Sequence, residues 1–184
     1  MNARDTLIAE LREHALVLGE VTLTSGATAS YYVDAKRAIL RQPAFGALAD
    51  LVAAKASELG ATAVGGMTMG ADPIASAALT GEGGNELIAF FVRKEKKQHG
   101  LQRWVEGPIL EAGTKVLIVE DVVTTGGSTV KAIERCKEEG LEIVGTVSVL
   151  DRLAGGGDAI VEAGGGEYTP LATIDDVYPD RPES

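Results

Sequence analysis

The chain is predicted to be an α/β protein built on a mostly parallel sheet flanked by helices, and three features of the sequence say so. Apolar runs of four to eight residues recur at Leu87 to Val92, Val116 to Val119 and Ile143 to Leu150. They are largely continuous rather than alternating, as in strands buried on both faces of a parallel sheet. Between them lie segments whose apolar residues fall at helical spacing. Glycine and proline punctuate the junctions, so strand and helix alternate along the chain.

Taken in order, Leu7, Ile8, Leu11, Ala15 and Leu18 repeat at helical spacing and predict an amphipathic helix over about residues 3 to 18. Val21 to Thr24 and Ser30 to Val33 read as short strands around a Ser25-Gly26 turn. Pro43 starts a helix that Gly60 ends, with Phe45, Leu48, Leu51, Val52 and Leu59 turned inward. Thr62 to Gly66 is a strand, and Gly70-Ala71-Asp72 leads into an alanine-rich helix, Pro73 to Thr80. A loop at residues 81–85 precedes the strand at Leu87. The strand at Val116 is followed by a helix ending at Gly140, and then by the strand Ile143 to Leu150. A glycine-rich loop, a short helix near Asp158 to Ala163 and a strand around Thr169 to Ile174 complete the series. Beyond Asp175, Tyr178-Pro179-Asp180-Arg181-Pro182 reads as an extended end.

With 184 residues and 45% apolar side chains, the chain is the size of one domain with a real core, and no repeat or linker divides it. Its mean hydropathy is +0.10. The apolar runs fall well short of the roughly 20 residues of a membrane span, and the N-terminus opens on charged residues rather than an apolar signal core. A cytoplasmic protein without membrane contact is expected. The single cysteine, Cys136, falls on the apolar side of its helix beside Val130 and Ile133, as a packed thiol would. A net charge of −10 argues against general nucleic-acid binding.

The most informative stretch is Val116 to Thr129, VLIVEDVVTTGGST. An apolar strand runs into Glu120 and Asp121, placing both carboxylates at its carboxyl end, where open α/β sheets bind ligands. Thr124, Thr125, Gly126, Gly127, Ser128 and Thr129 then offer hydroxyls and unobstructed N–H groups at the start of a helix, whose dipole favours an anion. A phosphate fits the loop, and the carboxylates can accept from ribose hydroxyls. The plainer reading makes Glu120 and Asp121 ordinary strand-end acids and the glycines mere turns. Adjacent carboxylates after a buried strand, however, repel and lose hydration, so they call for a compensating partner or a task. Neither GxxxxGK[ST] nor GxGxxG occurs in the segment.

Arg93, Lys94, Lys96, Lys97 and Arg103 place five of the seventeen Lys and Arg residues in eleven positions, with His99 among them. In an acidic chain, positive charge gathered at a strand's carboxyl end suits a small polyanion. A solvated charge run is the alternative.

These segments resemble a known family. The stretch around Glu120 and Asp121 resembles the phosphoribosyl pyrophosphate (PRPP) signature of type I phosphoribosyltransferases. Four segments together resemble orotate phosphoribosyltransferase: Leu23-Thr24-Ser25-Gly26 with Ser30-Tyr31-Tyr32-Val33-Asp34, similar to a base-recognition hood; residues 64–75, VGGMTMGADPIA, similar to a pyrophosphate loop; Arg93 to Gly100, similar to a mobile catalytic loop; and the signature with Asp151-Arg152. The resemblance implies one phosphoribosyltransferase domain over residues 1–184, with a hood formed mainly by residues 1–40.

The reaction implied is magnesium-dependent transfer of the 5-phosphoribosyl group from PRPP to orotate, giving orotidine 5'-phosphate and pyrophosphate in pyrimidine biosynthesis. Displacement at an anomeric carbon passes through an oxocarbenium-like state, so cations are needed at the leaving group and carboxylates near the ribose. By resemblance, Lys97, His99 and Asp121 are catalytic, and Arg93, Lys94, Lys97 and His99 neutralise the pyrophosphate. PRPP is further held by Glu120, Asp121, Val122, Val123, Thr124, Thr125, Gly126, Gly127 and Ser128. Orotate meets Tyr31, Tyr32, Thr125 and Arg152, whose guanidinium suits a carboxylate. No protein ligand to the metal is assigned, because Mg2+ is expected to be carried mainly by PRPP. A homodimer in which the 93–103 loop reaches the partner's site is also implied.

Other readings of single residues stay open. Tyr31 and Tyr32 alternate across a strand, so at least one is a packing residue. His14 reads as a surface or packing residue, while Lys36, Arg37 and Arg41 either help bind an anion or form a solvated face. Many family members carry a lysine where this chain has Thr24, and another where it has Met69 or Gly70; Lys36 or Arg37 is a candidate substitute for the first. A PRPP- or nucleotide-binding regulator, and a transferase for another base, are the competing functions.

Overall fold

The computed structural model describes residues 2–22, 28–96 and 103–181. In chain order its elements are α1 (Ala3–His14), β1 (Leu16–Thr22), β2 (Thr28–Val33), α2 (Lys36–Ile39), α3 (Gln42–Leu59), β3 (Ala63–Met67), α4 (Asp72–Ala78), β4 (Ile88–Val92), β5 (Val105–Glu106), β6 (Lys115–Val123), α5 (Gly127–Glu138), β7 (Glu142–Asp151), α6 (Gly156–Glu162), β8 (Glu167–Thr173) and α7 (Ile174–Val177). A 3-10 turn at Gly84–Glu86 lies within the connection before β4.

The central sheet has six strands in the order β5-β4-β3-β6-β7-β8. All its pairings are parallel except that of the short edge strand β5 with β4. Side chains alternate across it: Leu117 and Val119 of β6 join the core under α1, α3 and α4, while Val116 and Ile118 join the core under α5 and α6. All four are fully buried, which explains the unbroken apolar run. Each such side chain contributes about 1.5–3 kcal/mol of burial. Among the described residues no helix is long and apolar enough to cross a membrane.

The chain leaves β3 through α4 to β4 on one side and returns to β6 on the other, proceeding through α5 to β7. The order therefore reverses between β3 and β6, and the crevice at their carboxyl ends is the place where open sheets bind ligands.

Four expectations are corrected. The first helix stops at His14 instead of running to 18, because Leu16, Val17 and Leu18 pair with Val33, Tyr32 and Tyr31 of β2. A bulge follows at Gly19, whose φ of 118° no helix accommodates. β6 continues past Val119 to Val123, so Glu120 and Asp121 lie within the strand; Glu120 pairs with Ser148 of β7. The last strand ends at Thr173 instead of Ile174, and between it and the extended end predicted from Tyr178 lies an unpredicted helix, α7, with a capping box between Thr173 and Asp176. β5 and α2 are too short to leave a periodic signal, and neither is predicted.

Candidate active site

The two carboxylates of β6 have different surroundings. Glu120 is 4% exposed, and its Oε2 accepts from Ser128 Oγ at 2.6 Å and Thr129 Oγ1 at 3.0 Å. Burial, reinforced by the neighbouring Asp121 charge, outweighs these hydroxyls and pushes the Glu120 carboxyl up to about 7. Asp121 faces the crevice: Oδ1 accepts from the Val122 N–H at 2.9 Å, and Oδ2 lies 2.9 Å from Lys36 Nζ. Lys36 also lies 3.1 Å from Asp34 Oδ1. Burial pulls the Lys36 ammonium down, but hydrogen bonds and charge from Asp121 and Asp34 outweigh it and leave it raised.

After β6 the chain turns at Gly126, with φ of 78°, where a Cβ would come within 2.8 Å of the Gly156 carbonyl. Gly127 opens α5 with no atom within 4 Å of where its Cβ would stand, so the mouth of the loop is clear. No side chain caps this helix, and the first N–H groups of a helix have no intrahelical partner. An anion can be received there. Ser128 and Thr129 turn their hydroxyls down to Glu120, which leaves Ser128 its backbone N–H to offer an anion. Val122 packs against the core and Val123 is buried, and the Val123 carbonyl accepts from the Arg152 N–H at 2.9 Å. Thr125 is exposed and Thr124 half-buried at the rim.

Facing this loop across the switch point is the segment after β3. Thr68 Oγ1 donates to Asp72 Oδ2 at 2.6 Å, and Met69 is 72% exposed. Gly70 approaches so closely that a Cβ would lie 2.5 Å from Asp121 Oδ1. A cavity of about 380 Å³ extends from Thr68 past Phe91, Arg93 and Lys94 to Glu106. A second, of about 280 Å³, lies between Lys94, Ser128, Lys131 and Arg135.

Arg152 and Tyr31 meet as a pair, the guanidinium carbon 5.2 Å from the ring centroid. Tyr31 is buried and packs edge-on against Tyr178 at 5.4 Å, whereas Tyr32 is 40% exposed. Asp151 turns away from the crevice, accepting from the Leu153 N–H at 2.7 Å and Tyr168 Oη at 2.9 Å. Arg41 leans toward Glu10 at 3.9 Å, Arg37 is exposed, and His14 lies 3.7 Å from Glu10 and Glu13 on its own helix. Cys136 is fully buried, and burial followed by Glu139 pushes its thiol up to about 12.

Of the basic stretch, Arg93 pairs with Glu106 at 3.0 Å and Lys94 is exposed. Lys97 and His99 lie outside the described residues, as does Thr24. Sequence reasoning missed the support of this stretch. Arg135 donates to the carbonyls of Arg93 at 2.7 Å and Lys94 at 2.9 Å, and its guanidinium stacks on Trp104 at 4.3 Å. Trp104 is itself held by Glu138 and Glu139, each at 2.7 Å. The only tryptophan beside a cationic run was the available signal. Among the described residues no group of three His, Cys, Asp or Glu side chains could hold a metal ion.

Comparison with known proteins agrees with this geometry. Residues 37–160 match the family model described as "Phosphoribosyl transferase domain". The chain is 44% identical to the orotate phosphoribosyltransferase of Corynebacterium glutamicum strain R, over 96% of this chain and 95% of the relative. The crystal structure of Mycobacterium tuberculosis H37Rv orotate phosphoribosyltransferase with Fe(III) dicitrate superposes with a TM-score of 0.85 at 39% identity, covering 96% of this chain and 99% of that one. The same enzyme in complex with PRPP gives a TM-score of 0.80 at 35% identity over 95% and 98% of the two chains.

Proposed function

Since the chain belongs to the orotate phosphoribosyltransferases within the phosphoribosyl transferase domain family, we propose that it transfers the 5-phosphoribosyl group of PRPP to N1 of orotate, giving orotidine 5'-phosphate and pyrophosphate for pyrimidine biosynthesis. The observation that carries this reading is the convergence of Asp121, the Gly126-Gly127 loop and the Thr68-Met69-Gly70 segment at one switch point. The PRPP complex of the tuberculosis enzyme supports the choice of donor.

In this reading the 5-phosphate sits on the first N–H groups of α5, the ribose hydroxyls donate to Asp121, and the buried Glu120 braces the loop from below through Ser128 and Thr129. As the bond to the diphosphate lengthens, positive charge grows on the ring and negative charge on the leaving group. Asp121 stabilises the first, and Arg93 and Lys94, joined by Lys97 and His99, the second. Arg152, steadied by Tyr31, grips the orotate carboxylate and aims N1 at the anomeric carbon. Thr125 and Tyr32 border the base. A homodimer brings the 93–103 segment of one copy to the site of the other.

Magnesium fits the donor set. The carboxylate of Asp72 is a hard ligand of the kind it prefers, and its Oδ1 is buried without a partner among the described residues. Asp72 would help hold the ion together with the diphosphate oxygens, where it would neutralise charge on the leaving group.

The test is loss of orotate absorbance on mixing the protein with PRPP, magnesium and orotate, beside uracil, hypoxanthine and adenine. Consumption of orotate alone, requiring both PRPP and magnesium, is expected; PRPP binding with no base consumed would make the protein a regulator instead. Arg152→Ala should raise the orotate KM by roughly 10- to 100-fold while leaving the PRPP KM near wild type, because a bidentate charged contact contributes about 1.5–3 kcal/mol.

A further inference from the structure

Resting on that transferase reading, we infer that Lys36 is a positioning residue that holds Asp121 in place for the ribose, rather than a ligand of orotate. Its ammonium bridges Asp34, at the end of β2, and Asp121, 85 positions further along the chain. Three constraints meet on the Asp121 carboxylate: the Val122 N–H on Oδ1, Lys36 on Oδ2, and Gly70 pressed against it from the loop after β3. Displacing any one of them lets the carboxylate turn.

Lys36 is itself well anchored. Its N–H donates to Asp34 Oδ1 at 3.2 Å, and Ala35, Ala38 and Ile39 around it are fully buried. An ammonium has three donors, and here two are directed at carboxylates within 3.1 Å. Recruiting Lys36 to orotate would take it from Asp121, although Arg152 already offers a planar fork suited to a carboxylate. Removing the ammonium would leave Asp34 and Asp121 as neighbouring acids without their shared cation, and repulsion would drive Asp121 from its position.

The test is steady-state kinetics on the full chain, with PRPP and orotate varied separately, for Lys36→Met, Lys36→Arg, Asp121→Asn and the Lys36→Met/Asp121→Asn double variant. Methionine keeps the apolar stem and removes only the charge. Lys36→Met is expected to lower kcat/KM for PRPP by roughly 10- to 100-fold while the orotate KM stays within about twofold. Lys36→Arg should recover most of that loss. The double variant should be no worse than Asp121→Asn, because Lys36 acts through that carboxylate. A raised orotate KM with unchanged PRPP kinetics, or losses that multiply in the double variant, would overturn the inference. Thermal unfolding of each variant separates a kinetic defect from a folding one, and Lys36→Arg keeps the comparison open if Lys36→Met unfolds. Should the wild-type chain consume no orotate, the transferase reading fails by itself. Titration of PRPP and magnesium into wild type and Lys36→Met then decides the role of Lys36, with equal affinities counting against it.

Discussion

Glu120 and Asp121 are neighbours in sequence and opposites in environment, because successive strand residues point to opposite faces. Glu120 is turned into the core beneath α5, where burial holds its carboxyl up to about 7, against 4.5 for a free glutamate. The sign of the stability effect follows from linkage. Since the folded chain binds this proton more tightly than the unfolded one, the contribution is complete below pH 4.5 and is lost as pH rises through about 7. Glu120→Gln keeps an acceptor for Ser128 and Thr129 without the charge. It should therefore flatten the fall in stability across that window and make the protein more stable than wild type at pH 8, by about 1–3 kcal/mol. Urea unfolding at pH 5 and pH 8 measures this, and a variant less stable than wild type at pH 8 would contradict it. The sequence showed that the pair needed a partner or a task; it could not show which acid was buried. Depth depends on the pleat and on α5 above it, and the partner Lys36 lies 85 positions away.

Strands and helices were legible wherever one physical signal dominated. β6 and β4 announce themselves as unbroken apolar runs and β7 as a largely apolar one, and α3 is bracketed by Pro43 and a left-handed Gly60. Errors arose where signals competed. Leu18 fits the period of α1, yet Val17 and Gly19 favour β1, and pairing with β2 prevails. At α7 the Thr173 cap was present in the sequence, but the proline and acidic residues beyond it obscured it. α5 illustrates what only assembly reveals. Its N-terminus is where the phosphate is proposed to sit, while near its other end Arg135 ties down the backbone of Arg93 and Lys94 and stacks on Trp104. On the proposed reading, α5 would thus link the phosphate and diphosphate ends of the donor. Arg135→Ala should cost about 1–3 kcal/mol of stability through two lost charged hydrogen bonds. It should also raise the PRPP KM several-fold with the orotate KM unchanged. An unaltered PRPP KM in a destabilised protein would mean that α5 supports the fold without gauging the site.

At the scale of the molecule, α1 and α7 are fastened together on the side of Tyr31 and Arg152, where the base is proposed to bind. Arg4 of α1 donates to the Leu171 carbonyl at 2.9 Å and to Asp176 at 2.8 Å, and Arg12 donates to the Asp176 carbonyl at 2.7 Å. This seats α7 so that Tyr178 meets Tyr31 edge-on, and Tyr31 in turn carries the Arg152 guanidinium on its face. The contact runs from the last helix through the hairpin to the end of β7, three parts that the sequence separates widely. Its consequence can be measured. Tyr178→Leu preserves an apolar plug but removes the aromatic edge, a loss of about 0.5–1.5 kcal/mol. If that energy steadies Arg152, the orotate KM should rise by roughly 3- to 10-fold. The PRPP KM should not change, because Asp121 and the Gly126-Gly127 loop are fixed by β6, α5 and Lys36, not by α7. Tyr31→Leu should reproduce the orotate defect, and combining the two substitutions should add little, since both act through one stack. Equal losses on both substrates would instead mean that the C-terminal helix holds the whole fold and exerts no selective control over the base.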